Sequence, residues 1–252
     1  MSKKILLVSG HTSGYNYSEA TGVNEGDLNI DMVKRTAPLL SSYTDVTLYP
    51  IERDMYKDNA NGCLQVNLRA FDYIFEWHHN ASNGQARGTS VQLHTNYRGG
   101  ISVEQTIANN LAAIGFKKRG TNGIVRRSDL LNMRTCLAIG VDYALLETCF
   151  YDNAADMAIY NANKQRIAEA VANGIISAFG LSGGGVTGAR AATVVGCTAL
   201  NVRETPNGTI MGSVRGGSNV YIVGFGKDSD GDTWHKVQAG SMVGYVWPKY
   251  IG

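Results

Sequence analysis

Two histidines, His78 and His79, stand side by side at the end of the apolar run "YIFEWHHN". A third, His11, closes the run "KKILLVSGH", and Glu25 follows in "NEGDLN". Two imidazole nitrogens and one carboxylate oxygen, with a fourth position left for water, make a donor set for catalytic zinc. Glu147 sits in "ALLETCF" with apolar neighbours, where a carboxylate is costly to bury unless a partner or cation offsets it. Any one of these residues alone says little; together, each at the end of a strand, they point to metal-assisted hydrolysis. Successive side chains on a strand face opposite ways, so only one of His78 and His79 can share a site with His11. The residues by themselves leave that choice open.

These groups need elements to carry them. "KKILLVS" is a short buried strand. "DLNIDMVKRTAPLLSSY" has Leu28, Met32, Val33, Leu39 and Leu40 at helical spacing, with Pro38 near a kink or the helix end. "DVTLYP" and "YIFEWHHN" follow as strands, and "SVEQTIANNLAAIGF" as a helix closed by Gly115. "ALLETCF" is another buried strand, and a long amphipathic helix from "AADMAIYN" runs on to Gly180. Strands alternating with helices predict an α/β fold, a mostly parallel sheet flanked by helices. In such sheets ligands gather outside the carboxyl ends of the strands, where His11, His78 and Glu147 all fall.

"LSGGGVTGARAA" then has the small, polar composition of a linker. Beyond it, short alternating strands with turn signals predict a small all-β barrel. The expected division is 1–181 for the α/β domain, 182–192 for the glycine-rich linker and 193–252 for the barrel. In the barrel, Tyr221, Phe225, Trp234, Tyr245, Trp247 and Tyr250 are expected to divide between core and binding face. "DSDGDTW" has the acidic spacing of a calcium loop, but Thr233 stands in place of the required glycine and no closing glutamate follows. A plain polar loop is expected.

The chain has 252 residues, 44% of them hydrophobic and 17% charged, enough for a sizeable core. With 23 basic and 21 acidic residues, it offers no nucleic-acid type of surface. Cys63, Cys136, Cys149 and Cys197 are widely spaced, which fits reduced thiols better than a disulfide framework or a cysteine zinc site. The N-terminal apolar run is too short for a secretory signal, and no later run reaches membrane-spanning length. Synthesis in the cytoplasm without an export signal, and no membrane insertion, are the expectations.

Residues 1 to about 180 resemble the zinc-dependent N-acetylmuramoyl-L-alanine amidases of the third amidase type, found in bacterial cell-wall hydrolases and phage endolysins. That family shows a strand ending in Gly-His, a Glu shortly before a helix, a strand ending in His-x-Asn-Ala and a strand with Leu-Val-Glu-x-x-Phe. "VSGH", "NEGDLN", "HHNA" and "LLETCF" occur here in that order. The resemblance selects His78 over His79. It implies zinc held by His11, Glu25 and His78, Glu147 as the catalytic acid/base, and Asn80 orienting a ligand or the substrate from behind. There are departures: Ser9 replaces a proline and no glycine follows His11. "LHTN" repeats the His-x-Asn pattern without the alanine, so His94 is not expected in the site. The tail, in "LNVRETPNG", "DTWHKV" and "VGYVWPKYI", resembles bacterial SH3-type domains, which bind cell walls.

The implied function is cleavage of the amide between N-acetylmuramic acid and L-alanine in Gram-positive peptidoglycan, as an endolysin or autolysin does. Alternatives are a zinc peptidase cutting within the peptide stem, and a wall-binding protein with an inactive catalytic domain. Arg126 and Arg127, in "VRRS", read as solvated loop charges or as contacts for the anionic stem.

Overall fold

Ile5, Leu6, Leu7 and Val8 are all fully buried in the first strand, β1 (Lys4–Ser9). A strand covered on both faces has no polar alternation to show. The computed structural model describes residues 3–181, 190–239 and 242–252. The chain divides into two compact units, Met1–Leu181 and Ser182–Gly252.

In the first unit, β1 leads to a small hairpin of β2 (Tyr17–Ser18) and β3 (Val23–Asn24), then to α1 (Glu25–Ser41) and β4 (Asp45–Leu48). Next come α2 (Met55–Ala60), β5 (Tyr73–Asn80), β6 (Ser90–His94), α3 (Ser102–Ile114) and β7 (Ile124–Arg127). The unit closes with α4 (Leu131–Ile139), β8 (Asp142–Phe150) and α5 (Ala154–Ala178). The sheet order is β4-β1-β5-β8-β6-β7. The first four strands are mutually parallel, β6 runs antiparallel to β8, and β7 is parallel to β6. This is the mostly parallel, helix-flanked sheet expected of the sequence.

Alternation along the strands sorts the two faces. Ile5, Leu7, Phe75 and Trp77 pack with Met32, Ile107 and Val171, so α1, α3 and α5 cover one face. Leu6, Val8 and Ile74 pack with Met55, Met133 and Cys136, so α2 and α4 cover the other. Pro38 lies inside the last turn of α1, which ends at Ser41. The last helix stops at Ala178 rather than Gly180 and is interrupted at Asn163, whose side-chain amide donates to the Ile159 carbonyl at 2.8 Å. "VRRS" does not form a solvated loop: Ile124–Arg127 is strand β7, paired with β6.

The second unit contains β9 (Arg190–Thr193), β10 (Ala199–Arg203), β11 (Ile210–Arg215), β12 (Asn219–Lys227), β13 (Thr233–Ala239) and β14 (Met242–Val246). They form one all-antiparallel sheet, order β11-β10-β14-β13-β12-β9, over a core that includes Val202, Val220, Val237 and Val246. Of the expected linker, 182–189 lies outside the described residues, while 190–192 belong to β9, paired with β12. The "DSDGDTW" loop is tied to itself. Asp228 Oδ1 accepts from the amides of Asp230 and Asp232, and its Oδ2 from the Trp234 indole. Trp234 is buried, whereas Tyr221 and Phe225 are 57% and 67% exposed. The four cysteines are free, and among the described residues no helix is long and apolar enough to cross a membrane.

Candidate functional site

Strand β5 decides between the adjacent histidines. Phe75 and Trp77 turn to the α1/α3/α5 core, so Glu76 and His78 turn to the other face. On the neighbouring parallel strand, Glu147 is in register with His78. On the other side of β5, the Gly10 amide donates to the Trp77 carbonyl at 2.9 Å, and the chain then turns at His11, whose φ is +75°. A side chain at Gly10 would collide with His78: a Cβ there would lie 2.1 Å from Nε2. Only glycine lets the loop close over the ring.

Glu25, the first residue of α1, brings the carboxylate between the two imidazoles. Its Oε1 is 2.9 Å from His78 Nδ1 and its Oε2 is 3.5 Å from His11 Nε2. The Asn16 amide donates to Oε2 at 2.7 Å. One donor atom from each of His11, Glu25 and His78 lies within 4.8 Å of the others. They open on a cleft of about 590 Å³ that Glu147, Asn80 and Arg127 also line.

The charges around this group are strongly coupled. Burial would raise the Glu25 carboxyl, but His78 and His11 overcome it and bring it to about 2. Burial would also strip His78 of its proton, yet the carboxylates of Glu25 and Glu76 hold its pKa well above the ordinary imidazole value. A divalent ion held by Glu25 and His78 would displace that proton. Glu147 is shifted the other way: burial pushes it up to about 7, with His78 opposing and Glu25 adding. Its Oε2 is buried with no hydrogen-bond partner. Two nitrogens and an ionised carboxylate beside an unsatisfied acid are donors that fit a borderline ion such as zinc.

The remaining sequence candidates divide. His79 points into the opposite core, 2% exposed, its ring edge-on to Tyr160 at 4.9 Å. Burial lowers its pKa to about 3, so the ring is neutral. Asn29 spends its amide on the Gly10 carbonyl, so its Oδ1 must accept from His79 Nδ1–H at 2.7 Å. His94 ends β6, where its Nδ1 accepts from the Asn96 amide in a turn; it does not join the site. Arg127 borders the cleft and pairs with Asp129, whereas Arg126 turns to the carbonyls of His94 and Tyr97.

Sequence reasoning missed two carboxylates, Glu76 and Asp54. Glu76 Oε1 lies 3.0 Å from His78 Nε2. Asp54 Oδ2 lies 3.5 Å from His11 Nδ1, while Oδ1 caps α2 by accepting from the amides of Tyr56 and Lys57. Glu76 was findable, because the argument applied to Glu147, a charge within an apolar strand, applies to it equally.

The family model described as N-acetylmuramoyl-L-alanine amidase matches residues 5–177. A curated relative, the "Probable autolysin PH" of Staphylococcus aureus, is 30% identical over 196 residues, which is 69% of this chain. The chain spans 38% of that protein's length. Among solved structures, the N-acetylmuramyl-L-alanine amidase Ami1 of Mycobacterium smegmatis superposes with a TM-score of 0.59 at 16% identity, covering 71% of this chain and 98% of that one. The catalytic domain of the CD27L endolysin, which targets Clostridia Difficile, gives 0.56 at 24% identity, covering 69% and 97%. Both share the fold of the first unit.

Proposed function

The chain belongs to the N-acetylmuramoyl-L-alanine amidase family, and from that premise we propose that it hydrolyses the amide joining N-acetylmuramic acid to L-alanine in peptidoglycan. One juxtaposition carries this reading. The donors His11, Glu25 and His78 converge next to Glu147, which stands in register with His78 and has an oxygen without a partner. We assign a zinc ion to those three donors. When bound, zinc supplies Lewis acidity, which makes water nucleophilic near neutral pH and stabilises charge building on the carbonyl oxygen.

The chain's own groups account for the protons. Glu147 accepts a proton at Oε2 as water adds to the amide carbon, and returns it to the nitrogen as the C–N bond breaks. A carboxyl held near neutrality is suited to both steps, since it neither keeps nor refuses the proton strongly. Asn80 and Arg127 line the cleft; we read Asn80 as orienting a ligand or the substrate and Arg127 as a contact for the anionic stem. The antiparallel unit is read as an SH3-type wall-binding domain, with exposed Tyr221 and Phe225 on its binding face. The target is the wall of a Gram-positive cell, attacked in the manner of an autolysin or endolysin.

The test is zinc content together with mass spectrometry of digested Gram-positive walls. Whole peptide stems with a free L-alanine amine, and glycan with an intact lactyl group, are expected. Fragments cut within the stem would assign a peptidase instead, and binding without products would leave a wall-binding protein.

A further inference from the structure

We propose that Glu76 is the positioning residue of this metal centre: it holds Nε2–H of His78, so that Nδ1 is the nitrogen presented to the metal. The inference rests on the zinc reading above and concerns a residue outside the ligand set.

The two ring nitrogens of His78 are already divided. Nδ1 faces the ligand Glu25 at 2.9 Å, and Nε2 faces Glu76 at 3.0 Å. A neutral imidazole that gives its Nδ1 lone pair to a metal carries its proton on Nε2, and that N–H needs an acceptor. Glu76 Oε1 is that acceptor. Its other oxygen is fully occupied, accepting from the Tyr143 hydroxyl at 2.6 Å and the Asn132 amide at 2.9 Å. Asn132 is held in turn, because its Oδ1 accepts from Asn59 at 2.9 Å. Strand β8 and helices α4 and α2 therefore converge on one carboxylate and leave it a single free direction, toward His78.

Two further observations agree. Glu76 is 4% exposed on a sheet face that otherwise packs Leu6, Val8 and Ile74, a position where an apolar side chain would cost less. The ring is also confined from the Nε2 side by Gly10, where nothing larger than a hydrogen fits. A carboxylate on the far nitrogen fixes the tautomer and ring angle of a metal-binding histidine and makes it a stronger donor. Asp54 stands in the same relation to His11, but at 3.5 Å and with its other oxygen committed to capping α2.

The experiment uses the full chain with zinc as the probe. Zinc affinity is read by competition with a chromogenic chelator, and the His78 tautomer by ¹⁵N NMR of histidine-labelled, zinc-loaded protein. In the wild type, His78 should show a directly bonded proton on Nε2 and a metal-shifted Nδ1. Glu76→Gln, which keeps the shape and a weaker acceptor, should reduce zinc affinity about 10-fold, and Glu76→Ala about 100-fold. Tyr143→Phe, which removes one donor from the far oxygen, should cost less than Glu76→Gln. Should Glu76→Ala misfold by circular dichroism, the near-isosteric Gln variant carries the test. Affinities of folded variants within about twofold of wild type, or His78 bound through Nε2, would overturn the role of Glu76. A wild-type chain that takes up no zinc would overturn the metal reading itself, and shows before any variant is made.

Discussion

Glutamine at position 147 should make the metal-free protein more stable while disabling it. The ordinary carboxyl value of 4.5 is raised by burial to about 7 at Glu147. A pKa unit is worth about 1.4 kcal/mol, so the shift sets roughly 3 kcal/mol against the ionised form in the folded state. The side chain is partly open to the cleft, and screening trims this to about 1–3 kcal/mol. Because the folded value lies above the unfolded one, the group's contribution is fully present below 4.5 and is lost as pH rises through about 7. Gln does not titrate. Glu147→Gln should therefore exceed wild type by about 1–3 kcal/mol at roughly pH 7.5 and match it near about pH 4. Urea unfolding of the chelator-treated full chain, followed by circular dichroism at the helical band, would measure it. That signal isolates the first unit, where all five α-helices of the described residues lie. Activity of the zinc-loaded variant should fall at least ~10²-fold with zinc retained. A variant no more stable than wild type at the higher pH, or one offset equally at both, would refute the burial argument; loss of zinc would make Glu147 a ligand.

His78→Ala should abolish zinc retention and activity, whereas His79→Ala should keep both. The second variant should still lose about 1–3 kcal/mol in urea unfolding, because Asn29 is left with an unpaired buried oxygen. Loss of metal from His79→Ala alone would show that the faces of β5 are assigned the wrong way round. Gly10→Ala should lower zinc affinity by at least about 10-fold with helix content unchanged, since its Cβ takes the space of His78 Nε2. Unchanged affinity there would mean the loop before His11 yields freely.

The parts of this molecule written in local pattern were readable from its sequence. β1, β5 and β8 are apolar runs bounded by turns, and α1, α3 and α5 carry apolar residues at helical spacing, so the layered fold was legible. The reversal of β6 and β7 was not, because strand direction depends on which distant strand is met and leaves no local mark. Helix α2 is a six-residue segment, "MYKDNA", with too little apolar periodicity to be legible, and its cap Asp54, which faces His11, is hidden with it. The choice between His78 and His79 shows the limit most clearly. Alternation separates them, but which face lies under α1, α3 and α5 and which one meets His11 and Glu25 is decided by how the helices pack. Glu76 was legible as well, since a carboxylate inside an apolar strand needs a partner and His78, two residues on, shares its face.

The two faces of the sheet also differ in the length of the helices that cover them. Helices α1, α3 and α5 have 17, 13 and 25 residues, whereas α2 and α4 have six and nine. At 1.5 Å per residue, α2 spans about 9 Å and α4 about 14 Å, against roughly 26–30 Å for β5 and β8. The carboxyl ends of those strands, bearing His78 and Glu147, meet only the first turns of these helices, where Tyr56 and Lys57 of α2 and Leu131 and Asn132 of α4 line the same cleft. A strand of a cross-linked mesh, the proposed substrate, cannot diffuse into a closed cavity and needs a cleft it can enter from the side. On the proposed reading, the first turns of α2 and α4 would be what a wall strand meets beside His78 and Glu147, so adaptation to different meshes would fall to those two turns.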